Sequence, residues 1–506
     1  MKKTILINCH PNQTRVAVLA GGVLEQFFLE VGGEGSPVGN IYKGKVSSIL
    51  PGLGAAFVDI GLEKNGFLSM SETVESSTLK GAFDDDESSD SPGKSPETIE
   101  NVLQKGQEIL VQVLKEPIGS KGARLSTQIS LPGRFLVLMP FESRIGVSRR
   151  ISERAERARL RGLLREIGLP EGMGAIVRTA ALSATKRALT RDLRYLLNAW
   201  KQIQKQQARQ KVPSLVHEEM DLVLKSIRDH LLTDVDKIVV DSKVELKKIN
   251  RFVDIVMPSA IKKIELYRER SPLFRKYGLE DEIEKLFQPV IRLKCGGSIV
   301  MQQTEALVSI DVNTGRHKGK KDQAATILKT NLEAAVEVAK QLRLRNVGGI
   351  IVIDFIDMES RRHQKQVLSA LIKELKKDKA RTRVYPISEL GLVEMTRQRE
   401  QESFLHMLYE TCPACRGQGL VKTLPSLQLE LERKLMTVLH EQRGIRRFRI
   451  EATPGLARHL LEEGWDNLRR LGRINRVRIN VVDNVELGFG EYVIWAVKRD
   501  SEEKVS

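Results

Sequence analysis

ALVSIDVNTG, residues 306–315, and GGIIVIDFIDM, residues 348–358, are two apolar stretches that each run into an aspartate, Asp311 and Asp354. Each reads as a strand. The segment between them predicts a helix whose Leu328, Leu332, Val336, Ala339 and Leu342 share one face. A strand at SIVMQQ precedes them, and an amphipathic helix around Val367, Leu371 and Leu375 and a strand at RVYPIS follow. Residues 291–388 therefore read as an α/β unit. Ligands of open sheets gather beyond the carboxyl ends of strands, where both aspartates are expected.

Moving outward from this unit, the pattern changes. Residues 1–35 alternate short apolar strands with turns, and residues 36–127 carry closely spaced strands with Gly and Pro turns, the pattern of a small barrel that resumes at QEILVQVLKE. An acidic, Ser-rich stretch, 78–98, interrupts it and reads as a mobile loop. Residues 128–220 hold strands, the helical stretch ISERAERARLRGLLREIGL, the strand GAIVRTAA and a charged helix from about Thr190 to Lys211. Residues 221–288 alternate helix, strand (KIVVD) and helix, resembling the opening residues more than what lies between. The barrel and its neighbour thus read as insertions in one discontinuous domain. Residues 289–410 contain the aspartates, 411–420 a cysteine pair, and 421–506 a small mixed domain: a helix at 426–443, a strand RFRIEA, a helix around 455–471 and two terminal strands.

The 506 residues carry 82 Lys and Arg against 65 Asp and Glu, a net charge of +17, and the cations recur along the whole chain. Such a field favours a polyanion, and nucleic acid is the leading partner. Four cysteines do not make a disulfide scaffold, which points to a cytoplasmic protein. His10, Pro11, Asn12 and Arg15 interrupt the first apolar run before it reaches signal-peptide length, and no stretch approaches the roughly twenty apolar residues of a membrane span.

Hydrolysis of a phosphodiester is served by an oxygen-coordinated Mg²⁺, which binds through one or two carboxylates plus waters and substrate. Asp311 and Asp354 suit that role; the bland alternative is an Asp that caps the following turn or helix. Asp357 competes with Asp354, but an extended strand would put Ile350, Val352 and Asp354 on one face and Asp357 on the other. Asn313 is placed to orient a carboxylate or meet phosphate. Cys412-Pro-Ala-Cys415, followed by Arg-Gly-Gln-Gly, has the spacing of half a zinc ribbon, most simply completed by the same pair of a second subunit. A redox pair is the rival reading, although such a motif normally opens a helix. Cys9 and Cys295 lie beside apolar strands and read as inert packing residues.

Taken in order, SIDVNTG, TNLEAAVEVAKQLRLRNVGG, IIVIDFIDM, EMTRQR and CPACRGQG resemble the ribonuclease E/ribonuclease G family, and the resemblance runs from the opening strands to about Leu420. Without a long scaffold tail, the chain is expected to stand with the short members. The resemblance implies a multidomain α/β and α+β architecture. Its parts are a deoxyribonuclease-I-like catalytic domain, a ribonuclease-H-like domain with an inserted OB-type RNA-binding barrel, a zinc link and a small C-terminal domain. It implies Mg²⁺ on Asp311 and Asp354 with Asn313 in support, and Zn²⁺ on Cys412 and Cys415 shared across a homodimer, with pairing into tetramers left open. Phe57, Phe67 and Lys121 match RNA-contacting positions, and Gly133, Val137, Arg149, Arg178 and Thr179 match a 5′-monophosphate pocket; Arg150 reads as a solvated charge. Barrel core is the alternative for both Phe residues, and more so for Phe57. The implied activity is endonucleolytic cleavage of single-stranded A/U-rich RNA to 5′-phosphate and 3′-hydroxyl ends, in ribosomal RNA maturation and messenger decay. The competing classes are a non-catalytic RNA-binding or ribosome-assembly protein and a processive exonuclease.

Overall fold

The computed structural model describes residues 2–32, 36–73, 98–117, 121–148, 150–151, 153–182, 184–231, 235–304, 306–315, 323–398, 404–442, 444–498 and 502–505. The chain divides into two units, residues 1–407 and 408–506.

Among the described residues the first unit contains four sheets. One has the order Ile264–Leu266, Val235–Val240, Lys3–His10, Gln13–Ala20, Val23–Val31. Its first strand in sequence lies parallel to Val235–Val240, with Ile5 opposite Ile238, so segments far apart in the chain meet across the whole of the intervening barrel sequence. Ile5, Ile7, Val16 and Val18 pack on the helices Leu222–His230 and Lys243–Val256, while Leu6, Ala17 and Leu19 pack with Leu273 and Phe274. Coverage of both faces explains why ILIN and VAVLA show continuous apolar runs without alternation.

The strands Ile41–Leu50, Ala55–Asp59, Gly66–Ser69, Arg124–Ser126 and Glu108–Lys115 form the barrel, closed by pairing of the first with the last. Val46, Ala56, Val58, Leu68, Val111, Val113 and Leu125 fill it. Ser214–His217 adds to its outer edge beside Ile41–Leu50. Of the acidic stretch 78–98, only Thr98 falls within the described residues. A third sheet, Ile145–Val147, Gly174–Val177, Leu136–Met139 and Leu131–Pro132, packs on the helices Arg154–Ile167 and Lys186–Arg209 through Leu160, Leu164, Leu189, Leu193, Leu196 and Trp200. The charged helix starts before Thr190: the Thr185 hydroxyl caps it by accepting from the Ala188 amide.

The fourth sheet has the order Val290–Arg292, Ser298–Gln303, Leu307–Asn313, Gly349–Asp354, Leu392–Arg397, Thr382–Val384. Within it only Leu307–Asn313 and Gly349–Asp354 are parallel neighbours. The helices Gln323–Leu344 and Arg361–Leu375 cover the face formed by Val308, Ile310, Val312, Ile351 and Ile353. Two expectations are corrected here. Val336 is 44% exposed, because the helix seats itself on Ala334, Ala335, Val338, Ala339 and Leu342, whose three alanines allow a close approach to the sheet. Of RVYPIS only Arg383 and Val384 lie in a strand, Thr382–Val384, and its partner Leu392–Arg397 was not expected, since the inward residues Val393 and Met395 are followed by a buried Arg397 that breaks the apolar alternation.

In the second unit the helix Leu424–Glu441 shares a core with a four-stranded sheet, Arg478–Asp483, Arg447–Ala452, Tyr492–Val497, Glu502–Lys504, through Leu431, Leu435, Phe448 and Ile450. The single helix expected near 455–471 is two, Pro454–Glu462 and Trp465–Asn475, divided at Gly464, where a Cβ would stand 3.0 Å from Gln428. Three strands follow where two were expected. Among the described residues, no helix is long and apolar enough to cross a membrane.

Candidate active site

Asp311 and Asp354 are direct partners in the register of the two parallel strands. Side chains alternate along a strand, so Ser309, Asp311 and Asn313, with Ile350, Val352 and Asp354 beside them, fall on the face opposite the helices. Both aspartates are exposed. Their location is thus set by the pleat as well as by the strand ends. The Asn313 amide donates to Asp311 Oδ2 at 2.7 Å, fixing that carboxylate. Partial burial, the adjacent Asp311 charge and the Asp357 charge all raise the proton affinity of Asp354. The strand ends at Asp354, so the alternation that would set Asp357 on the far face stops before that residue, and its charge acts on Asp354.

A residue unforeseen from the sequence braces the segment after Asp354. Asn331, fully buried on the helix Gln323–Leu344, donates from Nδ2 to the Ile356 carbonyl at 2.8 Å and accepts from the Ile356 amide at 3.2 Å. Both backbone groups of Ile356, which lies between Asp354 and Asp357, are thereby satisfied by one side chain. At the other strand, Gly315 (φ +65°) lies where a Cβ would come within 2.3 Å of the Gly296 carbonyl, which accounts for the glycine closing SIDVNTG. No group of three or more His, Cys, Asp and Glu side chains suited to a metal occurs among the described residues. Two adjacent, mutually repelling carboxylates offer hard oxygen donors in the number Mg²⁺ usually takes from protein, so the residues fit that ion.

On the barrel, Phe57 and Phe67 are cross-strand partners, their rings 6.0 Å apart in an edge-to-face arrangement. Neither belongs to the barrel core; both are half-buried on its outer side. Lys121 is exposed, and the glycine that follows it, Gly122, lies against the backbone just before Phe67, where a Cβ would overlap the Asn65 carbonyl at 1.9 Å.

A cleft of about 680 Å³ is lined by Val137, Arg144, Arg150, Arg178 and Thr179, joined by Lys379 and Arg381 from a distant part of the sequence. Arg150 belongs to the cleft, and Arg149 lies outside the described residues. Arg178 is anchored at two points, donating to the Gly133 carbonyl at 2.6 Å and to Asp229 at 2.8 Å. Gly133 does not line the cleft. A Cβ there would sit 2.7 Å from the buried Asp192 carboxylate, which accepts the amides of Arg134, Phe135 and Leu136. The close approach that requires glycine is made by this carboxylate. Lys379 and Arg381 escaped sequence reasoning because KKDKARTR shows no spacing that distinguishes a cleft residue from a solvated one.

Cys412 and Cys415 stand in a turn: the Arg416 amide donates to the Cys412 carbonyl and the Gln418 amide to that of Cys415, while Arg416, Gly417 and Gly419 adopt positive φ. Backbone amides of Gly419 and Gly417 hold the Cys415 thiol below its usual range, favouring the thiolate that a soft metal needs. Among the described residues no helix opens at the pair, unlike a redox motif. Burial, with Asp241 adding to it, pushes the Cys9 thiol up to about 12, in keeping with an inert residue.

Residues 130–400 match the model of the Ribonuclease E/G family, and residues 36–128 that of the S1 RNA binding domain. The chain is 40% identical over 459 residues to Ribonuclease G of Haemophilus influenzae, covering 91% of this chain and 92% of that protein. It is 38% identical over 490 residues to Ribonuclease G of Escherichia coli K12, covering 96% and 99%. Against Ribonuclease E of the same strain it is 38% identical over 505 residues, 99% of this chain but 47% of that protein. An S1 RNA binding domain joined to a region that matches a ribonuclease family defines a multidomain phosphodiester hydrolase of RNA. The chain belongs to the ribonuclease E/G family.

Proposed function

We propose that this ribonuclease is a Mg²⁺-dependent endonuclease that cuts single-stranded, A/U-rich RNA to leave 5′-phosphate and 3′-hydroxyl ends, in the cytoplasm, during ribosomal RNA maturation and messenger decay. The observation that carries the reading is the pairing of Asp311 with Asp354 on the exposed face of the sheet. Mg²⁺ bound there would polarise the phosphate and lower the pKa of an attacking water. Asp311 and Asp354 hold the ion, and Asn313 orients Asp311. Asn331 keeps the chain after Asp354 in place. The Phe57 and Phe67 rings stack unpaired bases and Lys121 meets the backbone. Arg178, Thr179 and Val137, with Arg149 and the Gly133 carbonyl that holds Arg178, bind a 5′-monophosphate.

In this reading the sheet within 289–410 is deoxyribonuclease-I-like, and residues 1–35 and 221–288 form a ribonuclease-H-like domain interrupted by the OB-type barrel at 36–127 and the sensor at 128–220. The 411–420 link holds Zn²⁺ between two subunits through Cys412 and Cys415, and 421–506 is a separate small domain. Cleavage of a short 5′-monophosphorylated A/U-rich RNA, with Mg²⁺ or EDTA, by the wild type and Asp354→Asn tests the core of it. Internal cuts dependent on both metal and aspartate are expected. Tight RNA binding without cleavage by the folded wild type would overturn it in favour of a non-catalytic RNA-binding protein.

A further inference from the structure

The helix Lys186–Arg209 carries Arg187, Arg191, Arg194, Lys201, Lys205 and Arg209. At 100° per residue these six cations fall within about 40° of one line, which runs about 33 Å along the helix. The remaining position on that line is Asn198. The opposite face, Leu189, Leu193, Leu196, Trp200 and Ile203, is buried in the core, so the stripe faces solvent; Arg191 is half-buried and the other five are exposed. The helix has one acidic residue, Asp192, and it is buried on backbone amides. Among the described residues none of the six cations enters an ion pair, whereas Lys186, just off the line, is paired with Glu166.

Fold stability does not account for an unpaired row of like charges, since neighbours at i,i+4 repel one another. The helix ends at the barrel. Ser214–His217, a few residues beyond Arg209, pairs with Ile41–Leu50, and Lys43 of that strand donates to the Gln210 carbonyl at 3.3 Å. Lys45 of the same strand is exposed.

We propose that this stripe is a second RNA-binding track, which holds the phosphate backbone of RNA flanking the segment on the barrel. The line offers no aromatic ring for base stacking, so its contacts are to phosphates and independent of sequence. It equally lacks the exposed apolar side chains with which an amphipathic helix enters a bilayer, and this favours RNA over an anionic membrane. The idea rests on the chain acting on RNA, and its readout is binding, which is separate from cleavage.

The test compares the full chain carrying Asp354→Asn with the same chain also carrying Arg194→Gln, Lys201→Gln, Lys205→Gln and Arg209→Gln. Affinities are measured for a 10-nucleotide and a 40-nucleotide single-stranded RNA across a salt series. The fourfold variant is expected to bind the long RNA roughly 10- to 100-fold more weakly, with the slope of log K against log salt reduced by about 2–3, at roughly 0.7 for each phosphate no longer neutralised. The short RNA is expected to bind as before. Arg194→Lys with Arg209→Lys keeps the charge and is expected to keep the long-RNA affinity, which separates charge from folding. Unchanged affinity for the long RNA, or equal losses for both lengths, overturns the proposal. So does loss of binding to phosphatidylglycerol vesicles with RNA binding intact, which would assign the stripe to a membrane surface.

Discussion

The amide of Asn313 donates to Asp311 but not to Asp354, so the two partners of one strand register are held differently: one carboxylate is fixed by a side chain, the other by the segment that Asn331 braces. In the proposed site Asn313 acts through Asp311. Asn313→Ala is expected to lower cleavage or raise the Mg²⁺ concentration for half-maximal rate by about 10- to 100-fold, the usual cost of losing a group that orients a ligand. A rate titration against Mg²⁺ decides it; an unchanged half-maximal concentration together with an unchanged rate counts against the assignment.

Phe57 and Phe67 lie outside the barrel core, so truncating either should weaken RNA binding more than folding. Each Phe→Ala change is expected to cost about 1–3 kcal/mol of affinity for single-stranded RNA. If the barrel instead unfolds at lower denaturant with RNA affinity unaltered, the rings are structural.

Asp229 places a carboxylate in a cationic cleft, where it would repel phosphate unless its purpose is to hold Arg178. Arg178→Ala is expected to abolish the preference for a 5′-monophosphate over a 5′-hydroxyl. Asp229→Asn should weaken that preference several-fold, because the guanidinium loses a charged anchor. The ratio of kcat/KM for the two substrates measures both effects.

His230 is buried beside Phe28, with its Nε2 3.0 Å from the Lys379 ammonium. Burial, reinforced by that cation, pushes its pKa down to about 3 from an ordinary 6.5. A depressed folded pKa means that the unfolded chain binds the proton first. Stability is therefore complete above pH 6.5 and falls with decreasing pH toward 3, by roughly 1.4 kcal/mol per unit from this group. His230→Gln should flatten that part of the acid profile relative to wild type, as read from denaturation midpoints at about pH 7, 6 and 5.

Arg397 and Asp378 form a two-pronged buried pair, at 2.8 and 3.2 Å, and Arg397 also donates to the Val347 carbonyl at 2.7 Å. Asp378→Ala leaves a buried guanidinium without its counter-ion and is expected to destabilise by about 3–5 kcal/mol. Replacing both, Asp378→Leu with Arg397→Met, should recover most of the loss in equilibrium unfolding.

The pair also shows where the sequence was readable. EMTRQR was informative as a motif, yet its Arg397 concealed the strand, because a buried charge looks like a surface position when partners are invisible. Asp311 and Asp354 were legible since an apolar run ends at each, but that they stand side by side on one face depends on the register of two strands, which only the fold supplies. Asn331 was not: its role depends on Ile356, twenty-five positions away, and a lone Asn inside a helix pattern looks like a weak helix former. Gly133 was assigned to ligand approach when the approaching group is Asp192, a contact that only folding creates.

The parallel pairing of Lys3–His10 with Val235–Val240 has a bearing on biosynthesis. The first hairpins leave the ribosome with one edge lacking its partner strand until some 225 further residues, from His10 to Val235, have been made. At ordinary elongation rates that interval is roughly ten to forty-five seconds. The barrel and the cleft sheet, whose strands all pair within residues 41–217, can close during it. The nascent edge must meanwhile be kept from pairing with other chains, a demand that falls on chaperones and on the pace of translation.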